Sequence, residues 1–177
     1  MKRKSIFILF ICILSLFSFD IPKNLQKKVD KEIKDVFQVD AFFTQDIEIS
    51  EDIKTTLPIE IKDNNFFKVL NNEKHTLGYV FFGIAPSKTA EFDYLVVFDE
   101  NLIIQRAKVL VYREEYGGEI GSKRWLKQFI GKTEHDELEY QKNIAAISGA
   151  TISVRSMTNA VNDLLKAIGI LHENKIL

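Results

Sequence analysis

Between Phe66 and Tyr112 the chain reads as four apolar segments separated by short turns, and this stretch limits the fold more than any other. The segments are FFKVL (66–70), TLGYVFFGIA (76–85), FDYLVVF (92–98) and LIIQRAKVLVY (102–112). They are rich in Val, Ile, Phe and Tyr, which suit a pleated, half-buried surface. Turn residues separate them: Asn71-Asn72-Glu73, a loop around Pro86-Ser87-Lys88, and Asp99-Glu100-Asn101. Connections this short join antiparallel neighbours, so the spacing predicts a meander. Gln105 and Lys108 mark a partly solvated face on the last strand. Residues 41–62 carry short alternating pieces at Ile47 and Ile49 and a break at Pro58.

Helices flank this block. Pro22 to Gln38 places Leu25, Val29, Ile33, Val36 and Phe37 on one face at helical spacing, with Pro22 in the first turn. Such a helix packs on the domain or holds it off a membrane. Ser122 is a natural N-cap for a short helix, Lys123 to Ile130, stopped by Gly131. Ser153 caps a second helix of about Val154 to Ile168, with Met157, Val161, Leu164, Leu165 and Ile168 on one face and Gly169 as its C-cap. Residues 133–142 are polar and read as a loop or a solvated turn of helix. The fold class is α+β, an antiparallel sheet packed by helices.

The first twenty residues stand apart. Lys2, Arg3 and Lys4 precede fifteen uncharged residues, SIFILFICILSLFSF, from Ser5 to Phe19. That length suits a signal peptide and is short for a spanning helix, which needs about 20 apolar residues. Residues 1–20 are therefore expected to be a signal peptide or an N-terminal membrane anchor, with residues 5–19 as a tether. Residues 21–177 are expected to be a single exported domain, in the periplasm or at the outer face of the inner membrane. Cys12 is the one cysteine. Bulky Phe10 and Ile11 before it argue against lipidation, and once the segment is removed the chain has no disulfide or thiolate chemistry. The composition, 46% hydrophobic and 28% charged, is that of a globular protein, and a formal net charge of −1 gives no global basic field for nucleic acid.

Several chemistries find no residues. His75, His135 and His172 are isolated, with no HExxH or CxxC, so no metal site is expected. There is no GxSxG elbow, no GxxxxGK[ST] loop and no GxGxxG after a strand. Glu114 and Glu115 beside Arg113 read as a solvated edge. What remains is two small-residue loops, each leading into a helix. Tyr116-Gly117-Gly118-Glu119-Ile120-Gly121-Ser122 leads into Lys123, and Ser148-Gly149-Ala150-Thr151 leads toward Ser153. Glycine permits close backbone approach, and hydroxyls with helix N-terminal N–H groups suit a phosphate. Lys123 and Arg155 stand where they could add charge-assisted bonds. The same residues also suit two ordinary capped turns.

Taken in order, these segments resemble the FMN-binding domain. It is found in the flavin-carrying subunits of sodium-pumping NADH:quinone reductases and Rnf electron-transport complexes, and in small exported flavoproteins. The resemblance spans roughly Phe66 to Ile168. It is most specific at SGAT, residues 148–151, and looser at Gly117 to Ser122 with Trp125, Phe129, Gly131 and Lys132. It implies FMN joined to Thr151 by a phosphoester that a flavin transferase makes outside the cytoplasm from FAD. It also implies electron carriage to or from a membrane electron-transfer partner, rather than a substrate-specific enzyme. Cofactor contacts would come from Ser148, Gly149, Ala150, Thr151 and Ser153, and from Gly117, Gly118, Glu119, Ile120, Gly121, Ser122 and Lys123. Trp125 and Tyr116 are candidates for ring contacts, with core packing the favoured role for Trp125. Where the family carries an Asp three residues before the Ser, this chain has Ala145. Its Tyr116–Gly121 run also departs from the family's Thr-Pro-Gly-Leu-Gly-like loop. Two alternatives stay open: a non-covalent module for FMN or another phosphate ligand, and a flavin-free accessory scaffold.

Overall fold

The computed structural model describes residues 21, 23–62 and 64–177. The expected export segment and Pro22 lie outside them. Helix α1 (Lys23–Phe37) is followed by strand β1 (Phe43–Asp46), the single-turn helix α2 (Glu51–Lys54) and strands β2 (Phe66–Leu70), β3 (Thr76–Pro86), β4 (Glu91–Asp99) and β5 (Ile104–Val111). A short helix α3 (Lys123–Leu126) and the long helix α4 (Thr151–Glu173) complete the chain. The strands form one antiparallel sheet in the order β1-β2-β3-β4-β5, the meander expected from the turns. The fold is α+β. Among the described residues, no helix is long and apolar enough to cross a membrane.

Alternating side chains divide this sheet between two cores. On one face Phe66, Phe81, Phe92, Tyr94, Val96 and Phe98 meet Val154, Met157, Val161, Leu164, Leu165 and Ile168 of α4. On the other, Phe67, Val80, Phe82, Leu95 and Val97 meet Leu25, Val29 and Ile33 of α1. The unbroken apolar run of β4 follows from this arrangement, because the strand is covered on both sides. Helix α1 packs on the domain. Its Glu32, 7% exposed, lies 3.2 Å from Arg106 and 3.3 Å from Lys108 of β5, while Lys28 donates to the Leu110 carbonyl at 2.9 Å. Arg106 and Lys108 of β5 thus serve to dock the helix, while Gln105 donates to Asp99 at 2.7 Å.

Three helix boundaries differ from the sequence reading. Instead of a helix from Lys123 to Ile130, α3 stops at Leu126 and a 3-10 turn covers Lys127–Phe129. The Gly131 N–H donates to the Ile104 carbonyl at 2.8 Å and the Ile104 N–H to that of Lys132 at 2.9 Å, so the chain must extend to reach β5. The Ser122 cap holds, accepting from the Trp125 N–H at 3.3 Å. Helix α4 starts at Thr151 with Ala150 as N-cap, not at Val154 after Ser153. It also runs past Gly169 to Glu173, because the buried stripe continues to Leu171.

Candidate functional site

The two small-residue loops touch. Strand β5 delivers the chain through Tyr112 to Gly117, which is buried in a left-handed conformation (φ +84°). A Cβ placed there would lie 2.8 Å from the Cβ of Ala150 and 3.0 Å from the hydroxyl of Tyr112. Glycine is needed at Gly117 for both reasons, since a side chain would be strained and would push the SGAT turn away. The turn itself closes through the Ala150 N–H to the Ile147 carbonyl at 3.2 Å, with Gly149 at φ +80°.

The start of α4 is not a capped turn. Alanine at the N-cap offers no acceptor, and no side chain among the described residues caps the helix. The first turn carries no acidic residue. N–H groups of this turn lack intrahelical partners and carry the positive end of a helix 23 residues long. Thr151 is exposed at this point, as are Ser148, Gly149 and Ile152. Ser153 is buried, and its hydroxyl shares a 2.9 Å hydrogen bond with that of Tyr112. By contrast α3 spans four residues, too short for a useful dipole, so the Ser122–Lys123 end has no equivalent anion-attracting field.

Beside the turn lies a cleft of about 480 Å³, lined by residues on each side of it: Glu119, Ser122, Arg124, Trp125 and Gln128 on one wall, and Ala145, Ala146 and Ile147 on the other. Two hydrogen bonds fix the second wall. Trp125 Nε1 donates to the Ala145 carbonyl at 2.7 Å, and the Ala145 N–H donates to Gln128 Oε1 at 2.7 Å. Trp125 also meets Phe129 edge-on with ring centres 5.2 Å apart, so its role is structural. Tyr116 is 79% exposed on the Gly-rich loop. A somewhat larger pocket, about 540 Å³, is lined by Pro58, Ile59, Lys62, Ile84 and Tyr94 among others and shares no residue with either loop.

The cations are deployed differently from the sequence reading. Arg155 lies over the Tyr140 ring at 4.7 Å, and Lys123 is exposed at the start of α3. Arg124, which the motifs did not single out, lines the cleft. Nor is Glu114 a solvated edge. Its carboxylate accepts from the Thr89 N–H at 2.6 Å, the Ser87 hydroxyl at 2.7 Å, the Thr89 hydroxyl at 2.9 Å and the Ala90 N–H at 3.1 Å. These bonds, led by the Thr89 N–H, hold its pKa down to about 2. Glu114 therefore ties the β3–β4 turn to the root of the Gly-rich loop. Tyr112 and Gln128 belong to no motif in the sequence. For Tyr112 the available signal was its place, an aromatic hydroxyl ending an apolar strand just before the glycines.

An open helix start, a second loop pressed against it and a polar-edged cleft thus lie side by side. Residues 89–166 match the family model of the FMN-binding domain, a family whose cofactor is FMN. The match begins at the β3–β4 turn and takes in both loops, a narrower span than Phe66 to Ile168. Among solved structures, NqrC of Shewanella oneidensis is similar at 20% identity and a TM-score of 0.46, over 66% of this chain and 61% of that one. The chain thus spans less than two thirds of the length of that protein. No curated protein matches it.

Proposed function

We propose that this protein is an extracytoplasmic electron carrier whose FMN is seated with its phosphate over the start of α4 and joined to Thr151. The observation behind this is the uncapped first turn of α4, where an exposed Thr151 hydroxyl stands among N–H groups that have no capping side chain. A phosphate there would satisfy donors that alanine at the N-cap leaves open. Ser148, Gly149, Ala150 and Ser153 would shape the phosphate seat. Gly117, Gly118, Glu119, Ile120, Gly121 and Ser122 would border the ring and ribityl chain, with Arg124 as the nearby cation in place of Lys123. FMN supplies one- and two-electron redox chemistry.

Attachment balances as a phosphoryl transfer from FAD. Thr151 Oγ1 forms a bond to the phosphorus of the FMN half, the pyrophosphate P–O bond breaks, AMP leaves and the hydroxyl proton is lost. A flavin transferase would catalyse the step. The basic start and uncharged run of residues 1–20 support export, with the segment either removed or kept as a tether near a membrane electron-transfer partner.

Non-covalent FMN is the second reading. It is favoured by Ala145, an exposed residue whose backbone is pinned in the cleft wall and whose side chain offers no carboxylate. Intact mass of the exported protein, co-produced with a flavin transferase and denatured, separates the two. A gain of one FMN less a water on the Thr151 peptide supports attachment. An unmodified protein that is yellow before denaturation supports the second reading. A colourless, unmodified protein overturns both, leaving the accessory scaffold.

A further inference from the structure

Tyr112 stands where the two loops meet, and its ring and hydroxyl do different work. The ring packs against Phe92, which is fully buried, with centres 6.0 Å apart, so the side chain is held from below. The hydroxyl bonds the Ser153 hydroxyl at 2.9 Å and lies 3.0 Å from the place a Cβ on Gly117 would take. Ser153 is the third residue of α4. A serine in a first turn ordinarily turns its oxygen to nearby backbone groups. Here that oxygen is engaged across the loop junction. Either hydroxyl can donate in this bond, and a phenol is the better proton donor of the two; with Tyr112 donating, the Ser153 proton is free for an acceptor at the helix start.

We propose that Tyr112 is a positioning residue for the phosphate seat, acting through Ser153 to make the site select flavin carrying a 5′-phosphate over flavin without one. The proposal rests on the FMN reading of this site. Removing the phenol oxygen lets Ser153 turn back to its own helix and leaves the ring packing in place. The loss is then one charge-assisted bond to the phosphate, about tenfold in affinity. Groups that touch the ring system are unaffected.

The test uses the full chain produced without a flavin transferase, so that Thr151 is free, and titrates it with FMN and with riboflavin. The wild type is expected to bind FMN more tightly than riboflavin. Tyr112→Phe is expected to weaken FMN about tenfold and leave riboflavin unchanged. Ser153→Ala should do the same, and the double variant should fall no further, because both act in one chain of bonds. Equal weakening of both flavins, or an unchanged preference, would overturn the proposal. Thermal unfolding checks each variant, and Ser153→Ala carries the test alone should Tyr112→Phe fail to fold. A wild type that binds FMN while the variants keep its preference overturns this inference alone. A wild type that binds neither flavin overturns the FMN seat and this inference with it.

Discussion

Replacing three glycines one at a time by alanine measures the contact between the loops. At Gly117 the new Cβ meets both a left-handed backbone and the Ala150 Cβ at 2.8 Å. The conformation costs roughly 1–2 kcal/mol and the overpacking about 1–3 kcal/mol, so Gly117→Ala should lose about 2–5 kcal/mol. At Gly149 the backbone is also left-handed (φ +80°) but the Cβ would enter open space, so strain alone applies, roughly 1–2 kcal/mol. At Gly118 the Cβ meets nothing within 4 Å and φ is not left-handed, so the change should be neutral or stabilising by up to about 1 kcal/mol. Urea unfolding at constant slope reads all three. FMN loading should fall most in Gly117→Ala, where the loops are pushed apart. Should Gly149→Ala cost as much as Gly117→Ala, or Gly118→Ala cost as much as either, the close approach of Gly117 to Ala150 would not be what shapes the site.

Further outcomes follow from the remaining contacts. Glu114 has a depressed pKa, so its contribution is complete above the ordinary carboxylate value of 4.5 and is lost as pH falls toward about 2. The stability gap between wild type and Glu114→Gln, read by urea midpoints, should therefore be widest at pH 7 and narrow steadily below 4.5. A gap that is constant with pH would refute the ionic role. Glu32→Gln should loosen α1 from β5 at a cost of roughly 1–3 kcal/mol, discounted because Arg106 and Lys108 are each 31% exposed, and the cost should shrink in high salt. Thr151→Ala should abolish covalent flavin in the mass spectrum while moving stability by under about 0.5 kcal/mol, since the side chain is exposed. Ala145→Asp should raise covalent incorporation if the absent carboxylate limits the transferase, and an unchanged yield would show that it does not.

The sheet was legible because its signal is local and long. Each apolar run from Phe66 to Tyr112 announces one strand, and the short turns between them leave few ways to join neighbours. The same holds for α1, whose apolar residues repeat at helical spacing. Strand β1 was not legible, because its four residues, Phe43 to Asp46, are all exposed and alternate between no core and solvent. It pairs with β2 by backbone alone, and backbone pairing leaves no mark on composition. The start of α4 misled for a different reason. Serine is a strong N-cap and alanine a poor one, so Ser153 was the better local choice. The fold takes Ala150 instead, and the Ser153 hydroxyl, inside the first turn, is engaged with that of Tyr112.

That exchange shows why the site was half legible. The small residues of SGAT and the Gly-rich loop are visible one at a time, since each needs only its own backbone to explain it. Whether they form one site or two capped turns depends on pairs far apart in sequence. Tyr112 and Ser153 are 41 residues apart, Trp125 and the Ala145 carbonyl 20, Glu114 and Thr89 25. Each of these residues has an ordinary local reading: strand end, core aromatic, solvated acid. Together they frame the first turn of α4, where donors face outward and the N-cap side chain does not answer them. Buried side-chain polar atoms of the described residues all find partners, so the open donors at this helix start are what a ligand would have to answer. Alanine at position 150 is therefore as informative as Thr151. A serine or aspartate there would close the helix start and compete with the phosphate for the same N–H groups.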